Sequence, residues 1–364
     1  MSRIVIDARE LRTSTGRYVE RLLHYLQDLD TTNEYLVLLK PQDISGWRTK
    51  SEHFLTVSCP YDEYGFAEQT GLLRQINKLK PDLVHFTMIQ QPILYRGHSV
   101  TTVHDLTTAR FTNPAKNPVV FRFKQAVYKE VIKRVAKNSK LIITPTGFVK
   151  DDLIEFTDID PRKIVVTHES ADRIDALPSP LPNLQKSKFI MYVGRPTPHK
   201  NLPRLIEAYA LLRAQHPDLK LVLAGKKDAN YRAIEANVPE KLRPHVVFTD
   251  FVTEGQLRWL YEHCEAYIFP SLSEGFGLPG LEAMIHGAPV VSSDATCLPE
   301  VYGDAAHYFD PLDVPAMADA ISEVLSDSRL RTELIQRGKE KAAEYSWRRM
   351  AQQTLAVYND ALDM

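Results

Sequence analysis

The sequence contains little cysteine, and no cysteine pattern that indicates a bond or a metal site. Cys59, Cys264 and Cys297 lie far apart, and none of them belongs to a C-x-x-C pair. This spacing argues against a disulfide framework and against a cysteine zinc cluster. Isolated thiols of this kind are typical of the reducing cytoplasm, where they act as small core residues.

Long apolar runs and a strong net charge are missing as well. No apolar run approaches the roughly 20 residues that a membrane-spanning helix needs. The segment Met1–Asp7 becomes charged almost at once, so we expect no signal peptide. With a formal net charge of −1, the protein lacks the excess of positive charge that is typical of nucleic-acid-binding proteins. We therefore expect a cytoplasmic protein without a nucleic-acid partner.

What the 364 residues do contain is an alternation of short β-branched runs with helical patterns. This alternation is typical of parallel sheets flanked by helices. We predict an α/β fold made of two Rossmann-like, doubly wound domains that face a shared cleft. The predicted strands are Ile4–Ile6, Tyr35–Leu39, Leu83–Phe86, Val100–Val103, Leu141–Thr144, Lys188–Val193, Leu221–Ala224, Val246–Thr249, Ala266–Phe269 and Pro289–Ser292.

A proline-bearing stretch, Asp172–Leu184, has no clear period and reads as the linker between the domains. The predicted boundaries are residues 1–170 for the first domain and 171–345 for the second. Residues 346–364 form a predicted helix that packs back on the first domain. Its apolar face is expected to contain Trp347, Met350, Leu355 and Tyr358.

The segment Phe269–Met284 carries the most chemistry. A strand ends at Pro270, a loop with two glycines follows, and Pro279 stands where a helix starts. Glycines let backbone N–H groups approach a ligand, and a helix N-terminus favours negative charge such as a diphosphate. Glu274 and Glu282 suit sugar hydroxyls better than phosphate. The alternative is a capped strand–loop–helix turn with two solvated glutamates.

The E-x7-E pattern of Glu274 and Glu282, in the wording Ser-Glu-Gly-Phe-Gly-Leu-Pro…Glu-Ala-Met, resembles the motif of the retaining glycosyltransferases of family four, which have the GT-B fold. Tyr192–Asn201 is similar to their donor-domain basic motif, Leu298–Ala306 follows in the family's order, and Ser346-Trp347 begins their terminal helix. The resemblance covers nearly the whole chain. It implies two domains around a cleft and a sugar nucleotide as donor.

The resemblance implies roles for residues of the second domain. Arg195 and Lys200, which follow Gly194, would neutralise the donor diphosphate, and Glu274 would contact the transferred sugar. Glu282 would hold the ribose hydroxyls. The remaining donor contacts are expected largely from backbone, in the segments Gly275, Phe276, Gly277 and Leu278 for sugar and phosphates, and Asp250, Phe251 and Val252 for the base.

In the first domain, the motif around His104 is similar to the family's His-Asp-Leu, and His104 is expected to contact the donor sugar. Gly16 would let backbone approach phosphate or sugar, although Ser14 replaces the other glycine of the family's loop. His85 resembles a second strand-end histidine. A further departure is His168-Glu169, where many relatives carry a glycine-containing turn; the sequence assigns these two residues no role.

Two D-x-D strings, Asp28–Asp30 and Asp158–Asp160, resemble metal-binding strings of other glycosyltransferases. Neither follows a buried strand, so we interpret both as structural and predict no metal and no other cofactor. The basic segment Phe121–Lys140 permits two interpretations, a solvated helix face and a peripheral contact with an anionic membrane at its inner face. Oligomeric state is not encoded in any pattern of the sequence.

The function that these features predict is metal-independent, retaining transfer of a hexose from a sugar nucleotide to a glycan or lipid-linked acceptor. Similarity to mannosyltransferases favours GDP-mannose; UDP-glucose and UDP-N-acetylglucosamine remain open. An epimerase and a non-catalytic sugar-nucleotide binder are the rival classes. An epimerase needs paired acids or bases flanking the sugar, which the E-x7-E pattern does not suggest. The presence of Arg195, Lys200, Glu274 and His104 together argues against a non-catalytic binder.

Overall fold

The computed structural model describes residues 1–13, 15–63, 65–111 and 118–364, apart from the side chains of residues 118–121 and 123. The chain divides into two compact units. Unit 1 consists of Met1–Ala109, Phe123–Glu169 and Ser346–Met364, and unit 2 of Arg110–Arg122 and Ser170–Tyr345.

Unit 1 is built on a parallel sheet with the order β3-β2-β1-β4-β5-β6-β7. Its inner strands are buried along almost their whole length because helices cover both faces. The strands are β1 Arg3–Asp7, β2 Glu34–Leu39, β3 Phe54–Ser58, β4 Leu83–Phe86, β5 Ser99–Thr102, β6 Leu141–Thr144 and β7 Ile164–Val166. The order changes direction at β1 and β4, as in doubly wound folds.

The helices of the first half alternate with these strands. They are α1 Gly16–Leu29, α2 Leu73–Leu79, α3 Thr107–Arg110, α4 Pro118–Asn138 and α5 Gly147–Thr157. A one-turn π-helix, Glu68–Leu72, leads into α2. Thr146 caps α5 by accepting a hydrogen bond from the backbone N–H of Val149, which satisfies one of the donors at that helix start.

Unit 2 is built on a second parallel sheet, with the order β10-β9-β8-β11-β12-β13. Its strands are β8 Phe189–Val193, β9 Lys220–Ala224, β10 Val246–Phe248, β11 Ala266–Phe269, β12 Val290–Ser293 and β13 Ala306–Phe309. Its helices are α6 Leu202–Leu212, α7 Ala229–Ala236, α8 Glu254–His263, α9 Leu278–Ile285, α10 Leu298–Tyr302, α11 Val314–Ser326 and α12 Ser328–Ala343. The predicted class of two doubly wound α/β domains is confirmed.

The last helix, α13 Trp347–Asp363, belongs to unit 1 and packs against α1. Its buried residues recur at helical spacing, among them Trp347, Met350 and Tyr358. The Tyr358 hydroxyl lies 2.6 Å from Nδ1 of His85, whose other ring nitrogen lies 2.9 Å from the Thr102 hydroxyl. His85 therefore joins the sheet to α13, and burial lowers its pKa to about 3.

Candidate functional site

The loop after β8 is shaped for backbone exposure. Gly194 has φ +147°, and a Cβ there would lie 2.7 Å from the Tyr192 hydroxyl, so a side chain is excluded. The Tyr231 hydroxyl donates to the Gly194 carbonyl at 3.0 Å and holds the loop against β9. Arg195 follows with an exposed side chain, and no described residue forms an ion pair with it. Its guanidinium is available to an anion.

Lys200 ends a short 3-10 turn, Pro198–Lys200, and the left-handed residue Asn201 then starts α6. Asn201 is buried and donates from Nδ2 to the Pro311 carbonyl at 2.7 Å, which fixes the turn. The Lys200 ammonium lies 2.5 Å from Oε1 of Glu274, and the two side chains are 18% and 11% exposed. The structure thus brings together two predicted site residues that lie 74 positions apart.

Glu274 stands in the loop after β11, which neighbours β8 in the sheet. Its backbone N–H donates to the Thr296 hydroxyl at 3.1 Å, and the backbone N–H of Leu272 donates to the His199 carbonyl at 2.7 Å. The second bond ties the loop after β11 to the loop after β8, and the first ties it to the loop after β12. The carboxylate of Glu274 therefore has a defined place at the carboxyl ends of two adjacent strands, where α/β sheets bind ligands.

The glycine-bearing loop runs from Gly275 into α9. Gly277 has φ +95°, and a Cβ there would lie 2.5 Å from the Tyr302 hydroxyl, which donates to the Gly277 carbonyl at 2.5 Å. Phe276 is buried edge-on against Tyr345, so its side chain anchors the loop. Gly275 is also buried, and Leu278 begins α9. The helix N-terminus at this point favours negative charge.

Glu282 lies one turn into α9 and is buried. The Tyr261 hydroxyl donates to its Oε2 at 3.2 Å. At the end of the helix, Nδ1 of His286 donates to the Glu282 carbonyl at 2.8 Å, and its Nε2 accepts from the backbone N–H of Ile174 at 3.1 Å. Burial lowers the pKa of His286, which matches a neutral ring used as donor and acceptor at once.

The predicted base-binding segment follows β10. Asp250 has φ +61° and accepts from the backbone N–H of Lys227 at 2.8 Å, which joins the loops after β9 and β10 and lowers the Asp250 pKa. The Asp250 carboxylate therefore stabilises the conformation of these two loops. Phe251 is 76% exposed, so it is the aromatic surface of this loop, and Val252 is half-buried.

His104 of unit 1 follows β5 and packs edge-on against Tyr18. Its Nδ1 lies 3.0 Å from Oε1 of Glu169 and its Nε2 lies 3.0 Å from the Thr87 carbonyl. Burial lowers the pKa of His104, but the hydrogen bond and charge of Glu169, with contributions from Thr87 and Asp105, raise it overall. No sequence pattern assigned a role to Glu169. Its replacement of a glycine-containing turn was the available signal.

Gly16 is buried at the start of α1, and a Cβ there would overlap the Leu11 carbonyl oxygen. Close packing on its own loop therefore accounts for this glycine. Its predicted ligand contact remains a prediction, and Ser14 lies outside the described residues.

The two D-x-D strings have structural contacts. The Asp30 carboxylate accepts from the Thr32 and Tyr35 hydroxyls at 2.7 Å each, and Asp160 caps a turn and pairs with Arg162 at 2.6 Å. Within the described ranges, no group of three or more His, Cys, Asp or Glu side chains is arranged to hold a metal.

Helix α4 carries the basic segment. Its described side chains from Arg122 to Lys137 include several exposed cations, and Glu130 pairs with Arg134 at 2.8 Å. The side chains of Phe121 and Phe123 lie outside the described residues. In the part of the chain that the structure covers, no helix combines the length and apolar character that a bilayer crossing requires.

Two family models match consecutive parts of the chain. The Glycosyltransferase Family 4 model matches residues 15–173, and the Glycosyl transferases group 1 model matches residues 174–341. Both contain predicted site residues, His104 in the first and the Lys200–Glu274 pair in the second.

Curated relatives and solved structures agree with these models. O-antigen chain mannosyltransferase B of Escherichia coli is 33% identical over 287 residues, 73% of this chain and 72% of that protein. The serotype-specific mannosyltransferase WbdA of Escherichia coli is 34% identical over 57% of this chain, but the match spans 26% of that protein. Sucrose-phosphate synthase from Thermosynechococcus elongatus shares the fold, with a TM-score of 0.80 at 19% identity over 99% of both chains. The predicted GT-B fold is confirmed.

Proposed function

The chain belongs to glycosyltransferase family 4, and on that premise we propose that it transfers mannose from GDP-mannose to a hydroxyl of a glycan or lipid-linked acceptor, with retention of anomeric configuration. That it is a glycosyltransferase follows from the family. The donor, the acceptor and the stereochemistry are the proposal.

The observation that carries the proposal is the Lys200–Glu274 pair at the carboxyl ends of β8 and β11. A cation, a carboxylate and the N-terminus of α9 meet there within one loop cluster. Such a set can stabilise a departing diphosphate while a carboxylate accepts from sugar hydroxyls. An epimerase would require acids or bases on both sides of the sugar, and this cluster offers one carboxylate beside one cation.

Donor binding would rearrange this pair. Without a donor, Glu274 neutralises Lys200 at 2.5 Å. We expect the diphosphate to take over the Lys200 ammonium, with Arg195 as the second cation, while Glu274 turns its carboxylate to the hexose hydroxyls. Glu282 then holds the ribose, and Phe251 and its neighbours contact the base. After the exchange, the Lys200 ammonium is paired with the diphosphate and the Glu274 carboxylate is hydrogen-bonded to hydroxyls, so neither charge is left without a polar partner.

In the proposed reaction, the acceptor hydroxyl attacks the anomeric carbon from the face that the diphosphate leaves. The new bond forms between acceptor oxygen and anomeric carbon, the bond from that carbon to the phosphate oxygen breaks, and a phosphate oxygen takes the acceptor proton. Fixed cations supply the stabilisation of the leaving charge, so the step requires no protein base and no metal. His104 is proposed to contact the transferred sugar.

Mannose is favoured because curated relatives that are 33–34% identical are mannosyltransferases. UDP-glucose and UDP-N-acetylglucosamine are the alternative donors. For the acceptor, we propose a growing polysaccharide on a lipid carrier, at the cytoplasmic face of the membrane. The exposed cations of α4 would hold the enzyme there by attraction to anionic lipid.

The test combines a donor panel with a product assay. Melting curves are recorded with GDP-mannose, UDP-glucose and UDP-N-acetylglucosamine; a donor at 100 times its Kd adds about 2.7 kcal/mol to the free energy of unfolding. The donor that binds is then incubated with a mannose-terminated acceptor, and NMR of the product reports the anomeric configuration. An inverted product refutes retention, and an epimerised nucleotide without acceptor refutes transfer.

A further inference from the structure

The contacts of His104 determine where its protons lie. The Thr87 carbonyl can only accept, so Nε2 at 3.0 Å must carry a hydrogen. Nδ1 faces Oε1 of Glu169 at 3.0 Å, and the two side chains are 15% and 7% exposed. A hydrogen bond at Nδ1 therefore requires one further proton, held either by the imidazole or by the carboxyl group.

The imidazole is the better base of the two. The ordinary pKa is about 6.5 for histidine and about 4.3 for glutamic acid, so the proton favours the ring. Burial opposes a charged ring, but the hydrogen bond and charge of Glu169, the hydrogen bond to the Thr87 carbonyl and the charge of Asp105 together outweigh burial and raise the pKa of His104.

Apart from Asp105, the other titratable groups that face the ring, Tyr18 and His85, do not add a charge. Tyr18 of α1 packs against it, and burial holds the pKa of Tyr18 well above its usual value, so it stays neutral. His85 of β4 is kept neutral by burial, with a pKa of about 3. Near neutral pH, the Glu169 carboxylate is thus the charge paired directly with the ring.

We propose that Glu169 is a positioning residue that keeps His104 as an imidazolium, clamped between the Glu169 carboxylate and the Thr87 carbonyl. Its catalytic consequence depends on the proposed function. Neither ring nitrogen then offers a lone pair, so His104 meets the substrate as a fixed positive charge and not as a proton acceptor.

The first experiment needs no activity. Histidine side chains labelled with ¹⁵N are titrated by NMR, and the His104→Gln variant identifies the His104 signals. In the wild type, both ring nitrogens are expected to be protonated at pH 7. Glu169→Gln should lower the His104 pKa by at least about one unit, which is a tenfold increase in the acid dissociation constant. Glu155→Gln removes an exposed carboxylate of the same unit and should leave it unchanged. A neutral His104 in the wild type at pH 7 overturns the proposal, whether or not the variants fold.

The second experiment separates positioning from a structural role. Glu169→Gln should lower kcat at least tenfold with the donor KM within threefold, and should move the alkaline limb of the kcat profile to lower pH. Glu169→Asp, which keeps the charge, should restore part of the turnover. An unchanged pH profile with equal losses in both variants refutes the positioning role. Absence of any transferase activity would refute the proposed function and leave the NMR result standing.

Discussion

The most informative perturbation of unit 2 is Lys200→Met, which removes the ammonium and keeps the length of the side chain. Glu274 loses its partner at 2.5 Å while it remains only 11% exposed. The variant therefore tests whether the two side chains depend on each other in the ligand-free protein. No other described ion pair takes over the Glu274 carboxylate.

The size of the effect follows from the distance. Two unit charges 2.5 Å apart attract by about 7 kcal/mol at an effective dielectric constant near 20. Desolvation of both groups offsets much of that attraction, and removal of one partner from a fully buried pair costs about 3–5 kcal/mol. Because both side chains retain some exposure, we expect a loss of about 2–3 kcal/mol in the free energy of unfolding, below the fully buried range.

The assay is thermal unfolding of four proteins: wild type, Lys200→Met, Glu274→Gln and the double variant. A loss of 2–3 kcal/mol in a unit of this size lowers the Tm by about 5–10 °C. The double variant should recover at least half of the loss, because a neutral glutamine needs no counterion. Lys227→Met is the matched control: Lys227 also pairs with a glutamate and lies over a phenylalanine ring, but its pair is more exposed. Strictly additive effects would refute the coupling.

Three further predictions concern α9. Gly277→Ala should cost about 1–3 kcal/mol and impair donor binding, since its φ is +95° and the new Cβ meets the Tyr302 hydroxyl; Gly65→Ala, with nothing nearer than 3.4 Å, should leave the Tm unchanged. Glu282→Gln should weaken donor binding roughly 10- to 100-fold in calorimetric titration, as expected for a lost charged hydrogen bond of about 1.5–3 kcal/mol, and equal affinity would remove Glu282 from the donor site. His286→Phe should lose about 1–2 kcal/mol at pH 7.5 from two hydrogen bonds, one of them to Ile174. Because folding lowers the pKa of His286, the neutral ring stabilises the protein fully above about pH 6.5 and less as the pH falls. The difference in the free energy of unfolding between wild type and variant should therefore shrink towards pH 5, and a constant difference would contradict the assignment.

The strands that sequence patterns predicted well are the buried ones. Ala266–Phe269 and Leu141–Thr144 have the predicted bounds, because helices on both faces require an unbroken apolar run. Phe54–Ser58 escaped prediction: it lies at the edge of its sheet, and most of its side chains are exposed. An edge strand with one buried residue shows little alternation of apolar and polar residues from which a strand could be predicted. The 3-10 turn that carries Lys200 also has no pattern of its own.

Contacts between residues that are distant in the sequence limit how much of the candidate site could be predicted. The family resemblance pointed to Lys200, and loop chemistry together with that resemblance pointed to Glu274; only the pairing of β8 with β11 brings the two together. The partner of His104 was hidden because Glu169 follows the last strand of unit 1, 65 positions away. The sequence likewise gave no indication that the Phe276 ring is buried against Tyr345. Such contacts follow from the topology of the sheets.

Calorimetric titration of GDP-mannose into wild type and Lys200→Met tests the central claim most directly, because it measures whether a sugar nucleotide is held by the loops after β8 and β11. The account predicts saturable binding to the wild type and at least tenfold weaker binding to the variant at 25 °C, with UDP-glucose weaker than GDP-mannose in both. Equal affinity of the two proteins for GDP-mannose, with the variant folded, would contradict it.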